Sequence, residues 1–223
     1  MCRATWRSSS WAPWSPRRRA GWRRLRSAPS PVPLPRVDAG RRVDIRRSEQ
    51  QAYLGLAWHT PPVANEDIFA VDLLTYILGD GPSSRLNQTV REQKGLVSAI
   101  EATYVPREHA GLVAVTAHME ADKLDAAEAA ILDVLRRVRA EGVTQAERDR
   151  ALITAESSYA FDIETAEGVA KTYGQAETTW TLDNELRYLE RLRAVTVAQI
   201  QAAARRYFGD DYARVRFVPG GGR

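Results

Sequence analysis

At 223 residues, 44% hydrophobic and with a mean hydropathy of −0.40, the chain has apolar content for one substantial core, and its length favours one domain plus a tail over two full domains. Its net charge of +4 conceals an asymmetry: residues 1–48 hold 13 arginines and no lysine against Asp38 and Asp44, a net +11, so the remainder carries −7. A lone cysteine, Cys2, excludes an intramolecular disulfide framework, and no apolar run has the length of a membrane span.

The arginine-rich segment "MCRATWRSSSWAPWSPRRRAGWRRLRSAPSPVPLPR" has no acid before Asp38 and no apolar run that would make a signal-peptide core. Nothing in it addresses a compartment, which leaves the cytoplasm as the default. Its prolines and lack of helical periodicity favour a disordered extension over a transit-like presequence. A nucleic-acid or membrane-surface arm built on "RRRAGWRRLR", with Trp able to stack on bases while Arg meets phosphates, is a third reading that ranks below the extension. "PSPVPLPR" reads as an extended linker, because proline fixes its own φ and pushes the residue before it out of the helical region. The expected division is a basic extension and linker over 1–38 and a folded domain over 39–220.

The folded part begins with two strand-like runs, "RRVDIRR" and "QQAYLGLAWHT", the second closed by Pro61 and Pro62. From Asn65, which can cap, "EDIFAVDLLTYILG" sets Phe69, Leu73 and Ile77 on one broad apolar helix face. Gly79 stands where a left-handed C-terminal cap is expected, and Pro82 suits the first turn of a second helix, "SSRLNQTVREQKG", ending at Gly95. "LVSAIEATYV" and "GLVAVTAHM" read as a strand pair joined by "PREHA". "DKLDAAEAAILDVLRRVRAEG" is an amphipathic helix stopped by Gly142. Thr144 with Glu147, and Thr196 with Gln199, are two capping boxes that open further helices. Helical patterns in "ETAEGVAKTYGQAE" and "LDNELRYLERLRA" lie between them. "ARVRFVP" alternates as a closing strand, with Arg214 and Arg216 expected outward and Val215 and Phe217 inward. Strands that cluster instead of alternating with single helices predict an α+β fold, helices packed on one face of a mostly antiparallel sheet.

The chemical motifs are mostly exclusions. "LGDGPSSR" lacks the third glycine and the preceding strand of a dinucleotide loop, and no Lys-Ser or Lys-Thr pair makes it a phosphate loop. His59, His109 and His118 are scattered, with no two a helical turn apart beside a Glu, so no catalytic zinc set is legible. Neither "PSSR" nor "ESSY" forms a nucleophile elbow.

Taken together, "ILGDGPSSRLNQTVREQKGLVSAI", "EGVTQAERDRA" and "LRAVTVAQIQAAARRYF" resemble, in order and spacing, the non-catalytic half of the pitrilysin/insulinase family of zinc metallopeptidases, over about residues 40–220. The resemblance implies two homologous α+β halves closing like a clamshell on an unfolded peptide. Zinc is then bound by His-x-x-Glu-His in the partner half or subunit, and this chain holds no metal and is inactive alone. It also implies a substrate-binding Arg and Tyr seven residues apart. Arg91 matches the first, and Ser98 stands where the tyrosine belongs. That departure leaves two readings open: a half that completes peptide hydrolysis with a zinc-bearing partner, or an inactive structural homologue of the same fold.

Overall fold

The computed structural model describes residues 40–220 except Glu49, so the extension and linker expected over 1–38 lie outside the described residues, as do residues 221–223. Five strands, β1 (Arg42–Arg47), β2 (Ala52–Thr60), β3 (Ala99–Val105), β4 (Gly111–Met119) and β5 (Ala213–Pro219), form one sheet in the order β1-β5-β2-β4-β3. The β1–β5 pairing is parallel and the others are antiparallel, in line with the expected mostly antiparallel sheet.

Period-two alternation sends Ala52, Leu54, Leu56 and Trp58 of β2, and Val113, Val115, Ala117 and Met119 of β4, to the face that the helices cover. The first helix, α1 (Asp67–Gly79), is not the one-faced amphipath that its spacing predicts. Ile68 to Val71, Leu73, Leu74, Ile77 and Leu78 are all buried, so it is the central helix of the layer, packed on β3, α4 (Gln145–Asp162) and α8 (Val197–Tyr207). α3 (Leu124–Glu141) lies against β2 and α8 and contributes Ile131, Val134, Leu135 and Val138 to the same core. Both capping boxes are formed: Thr144 and Thr196 accept from the backbone N–H of Glu147 and Gln199, whose side chains reach back to the cap residues.

Two expectations are corrected. Gly79 is not a left-handed cap, since the residue after it, Asp80, is extended and the positive φ falls on Gly81. Gly79 is required because α1 crosses β3 so closely that a Cβ there would lie 2.2 Å from the Ala102 nitrogen. Arg214 and Arg216 also face the opposite way from the reading above. Register pairs them with Leu56 and Leu54, on the helix-covered side, while Val215 and Phe217 share the opposite face with Tyr53. There Arg216 meets Glu128 of α3, which is 7% exposed, and Asp125 at 2.8 Å; Arg214 reaches Asp44 at 3.2 Å. Alternation alone did not reveal this, because both faces of β5 are half-buried and the long arginine stems span apolar surface to reach a carboxylate.

Candidate functional site

Arg91 rides on α2 (Asn87–Gln93), which is π-wound, a rarity that tends to occur at functional positions. The helix is firmly seated. Leu86 and Val90 are fully buried, and the Asn87 amide donates to Ser84 Oγ at 3.0 Å and to the Ile100 carbonyl on β3 at 3.3 Å. Just ahead of it, the Arg85 guanidinium donates twice to Glu147, at 2.7 and 2.8 Å. Those bonds, with help from the Thr144 N–H and hydroxyl, hold the Glu147 carboxyl down at about 2. The residue that caps α4 thus also ties α4 to the root of α2.

On this base Arg91 points to solvent. Its side chain is 47% exposed, and its acidic neighbour, Glu92, stands 3.7 Å away in an exposed pair that stabilises little. The chain leaves α2 through Gly95, whose φ of 58° is the left-handed backbone expected of a glycine after a helix. Lys123 donates to the Gly95 carbonyl at 3.2 Å. Ser98 follows, exposed, at the foot of β3, the sheet's edge strand. Its N–H donates to the His118 carbonyl at 2.8 Å and its Oγ to the same oxygen at 3.1 Å. The hydroxyl is therefore turned onto the protein's own backbone, and what remains for a ligand is its lone pairs. Arg91 and Ser98 stand on either side of one short turn, the first exposed and paired only loosely with Glu92, the second with its hydroxyl hydrogen committed to His118.

The histidines do not combine: His59 is on β2, His118 on β4 and His109 in the loop between β3 and β4. Among the described residues no three His, Cys, Asp or Glu side chains are grouped to hold a metal, so these donors do not make a zinc site. Nor is any helix among them long and apolar enough to cross a membrane.

Reading the sequence missed a cavity of about 600 Å³ between α1, the end of β3, α4, α5 (Ala166–Thr179), α6 (Leu182–Leu186) and α7 (Tyr188–Ala194). Asp72 lies in its wall and accepts from the Tyr188 hydroxyl; burial pushes its carboxyl up to about 6. A signal was available, since Asp72 is the one charged residue in "IFAVDLLTYIL". Its aromatic neighbours, spread from Phe69 to Tyr188, carry no local pattern that could have gathered them.

The family model of the peptidase M16 inactive domain matches residues 11–154, and the chain belongs to that family. The match begins inside the segment expected to be extension and linker. An uncharacterized zinc protease of Bacillus subtilis is 27% identical over 180 residues, 79% of this chain but 43% of the relative, so the chain spans less than half the length of that protein. The structural likeness reaches past residue 154. A protease from Helicobacter pylori superposes with a TM-score of 0.76 over 82% of this chain and 45% of the other, at 21% identity. An inactive peptidase domain from Bordetella parapertussis does so with a TM-score of 0.71 over 80% of this chain and 98% of the other, also at 21%.

Proposed function

We propose that the chain is the substrate-binding half of an M16 zinc protease, inactive alone and completing peptide hydrolysis with a zinc-bearing homologous half. The observation that carries this reading is Arg91: an exposed guanidinium, paired only loosely with Glu92, on an anchored π-wound helix that packs on the edge strand. An extended peptide can add to the outer edge of β3 through backbone hydrogen bonds, which need no particular side chains. A planar, permanently charged donor close to that edge suits a polarised peptide carbonyl. Zinc and the water it activates belong to the partner half; this chain's contribution is the edge and the donor.

The test is reconstitution. Mixed with a half bearing His-x-x-Glu-His, the chain is expected to confer chelator-sensitive cleavage of an unfolded peptide. Arg91→Ala is expected to lower kcat by about 10²–10³, the usual cost of losing one donor to a developing oxyanion. Robust hydrolysis by the isolated chain would overturn the proposal. The second reading, a structural homologue, is favoured by the commitment of the Ser98 hydroxyl to His118. Ser98→Tyr separates the two: a gain in turnover by the reconstituted pair supports the catalytic half, and stable association without turnover supports the scaffold.

A further inference from the structure

The cavity behind α1 has the size and the lining of a small-ligand site, and the proposed peptide hydrolysis makes no use of it. Its volume, about 600 Å³, lies within the range of sites that enclose small molecules. One wall is a continuous run of rings: Trp180 is 6.3 Å from Phe69, Phe69 is 6.1 Å from Tyr188, and Tyr188 stacks on Tyr159 at 5.6 Å. Behind the rings are carboxylates. Asp72 lies in the wall, Glu185 hydrogen-bonds Trp180 and Tyr159, and Asp162 and Glu167 also line the space; Lys171 is the single cation among the lining residues. On the β3 side the buried Tyr104 hydroxyl has the Thr60 hydroxyl as its neighbour. Aromatic faces backed by an excess of carboxylate are the surroundings in which a cationic nitrogen is stabilised, by ring quadrupoles and by charge in a poorly hydrated space.

We propose that this cavity binds an alkylammonium group, carried either by a free aliphatic amine or by a lysine side chain. Asp72 is the principal counter-ion and the Phe69–Tyr188–Tyr159 rings enclose the alkyl chain. Such a ligand supplies what Asp72 lacks. Its carboxyl is raised to about 6 by burial, with only Tyr188 offsetting that cost, so a cation beside it stabilises the ionised form.

The affinity therefore depends on pH, and the groups facing Asp72 decide how. Tyr76 on its own helix, Tyr104 on β3, Tyr159 on α4 and Tyr188 on α7 all have phenols pushed upward, chiefly by burial, so they stay neutral through the acid range. Glu185 on α6 is also raised by burial and adds to the change on acidification. Asp162 of α4, and Glu167 and Lys171 of α5, add charge at the cavity, and the Arg191 guanidinium of α7, paired with Glu66 at 3.3 Å, lies over the Phe69 ring at 5.6 Å.

The experiment is calorimetric titration of the full chain with 1,5-diaminopentane, with 1-pentanol as the neutral comparison and Nα-acetyl-lysine-N-methylamide as the side-chain form. Saturable binding of one diamine with Kd below about 1 mM is expected, about tenfold weaker at pH 5 than at pH 7.5 as Asp72 takes up its proton. Asp72→Asn keeps an acceptor for Tyr188; it is expected to weaken binding at pH 7.5 at least tenfold and to flatten the pH dependence. Glu185→Gln, on a different helix, is expected to weaken binding severalfold and is a second check should Asp72→Asn unfold. Tighter binding of the lysine derivative than of the diamine assigns the source to a peptide, and the reverse assigns it to a free amine. Equal binding of pentanol, undiminished binding by both variants, or no saturation with either ammonium compound would overturn the proposal.

Discussion

Glu147 can be changed so that its charge is lost while its capping role survives. Glutamine already serves at the equivalent position of α8, where Gln199 Oε1 accepts from the Thr196 N–H at 2.8 Å and from its hydroxyl at 2.9 Å. Glu147→Gln should therefore retain the cap and remove the ionic part of the contact with Arg85. The carboxyl's fall from 4.5 to about 2 corresponds to about 3 kcal/mol if taken whole. The two side chains are still 23% and 17% exposed, and solvent screening reduces the expected loss at pH 7 to about 1–2 kcal/mol. Because the folded pKa is depressed, this stabilisation is fully present above 4.5 and is lost as pH falls toward 2. The gap between wild type and variant should thus shrink to about six-tenths by pH 3.5 and about a quarter by pH 2.5. Urea unfolding followed by far-UV circular dichroism, run across that range with Arg85→Met and the double variant, measures both the gap and the coupling. A gap that is the same at pH 2.5 as at pH 7, or purely additive single variants, would refute the assignment of this stability to the ion pair.

Two further outcomes follow from the packing. Gly79→Ala should destabilise the fold by about 1–3 kcal/mol or more, since its Cβ would strike backbone as well as the Ala102 side chain; a variant that melts with the wild type would contradict the crossing of α1 over β3. Glu128→Ala removes the buried partner of Arg216 and Arg214 but leaves them Asp125 and Asp44, so it should cost up to about 3 kcal/mol by thermal or denaturant unfolding, the low end for a broken buried pair, with Glu128→Ala/Arg216→Met recovering part of it.

What could be read in advance was local. The capping boxes at Thr144 and Thr196 each lie within four consecutive residues, so spacing alone is enough to find them. The sheet was legible from the alternation in "AYLGLAWHT" and "GLVAVTAHM", and the family resemblance from the order and spacing of three short segments, the first of which holds Arg91. The misreadings involve partners far along the chain. Gly79 answers to Ala102, and the direction of Arg216 is set by Glu128, 88 residues away. The π-winding of α2 arises where Asn87, anchored to Ser84 and Ile100, sits between the buried Leu86 and Val90, and apolar spacing does not encode it. The cavity assembles side chains from six elements, so its chemistry exists only once the helices have packed.

The strand order carries a consequence for synthesis. β5 lies between β1 and β2, so among the described residues β1 has no strand to pair with until residues 213–219 have left the ribosome. Until then a nascent chain can form the three-stranded β2–β4–β3 sheet and the helices on it, while β2 lacks its β5 neighbour and Glu128 waits for its arginines. The last strand therefore closes the sheet from within and neutralises a buried carboxylate in one event, which makes completion of the sheet a late, long-range step of folding.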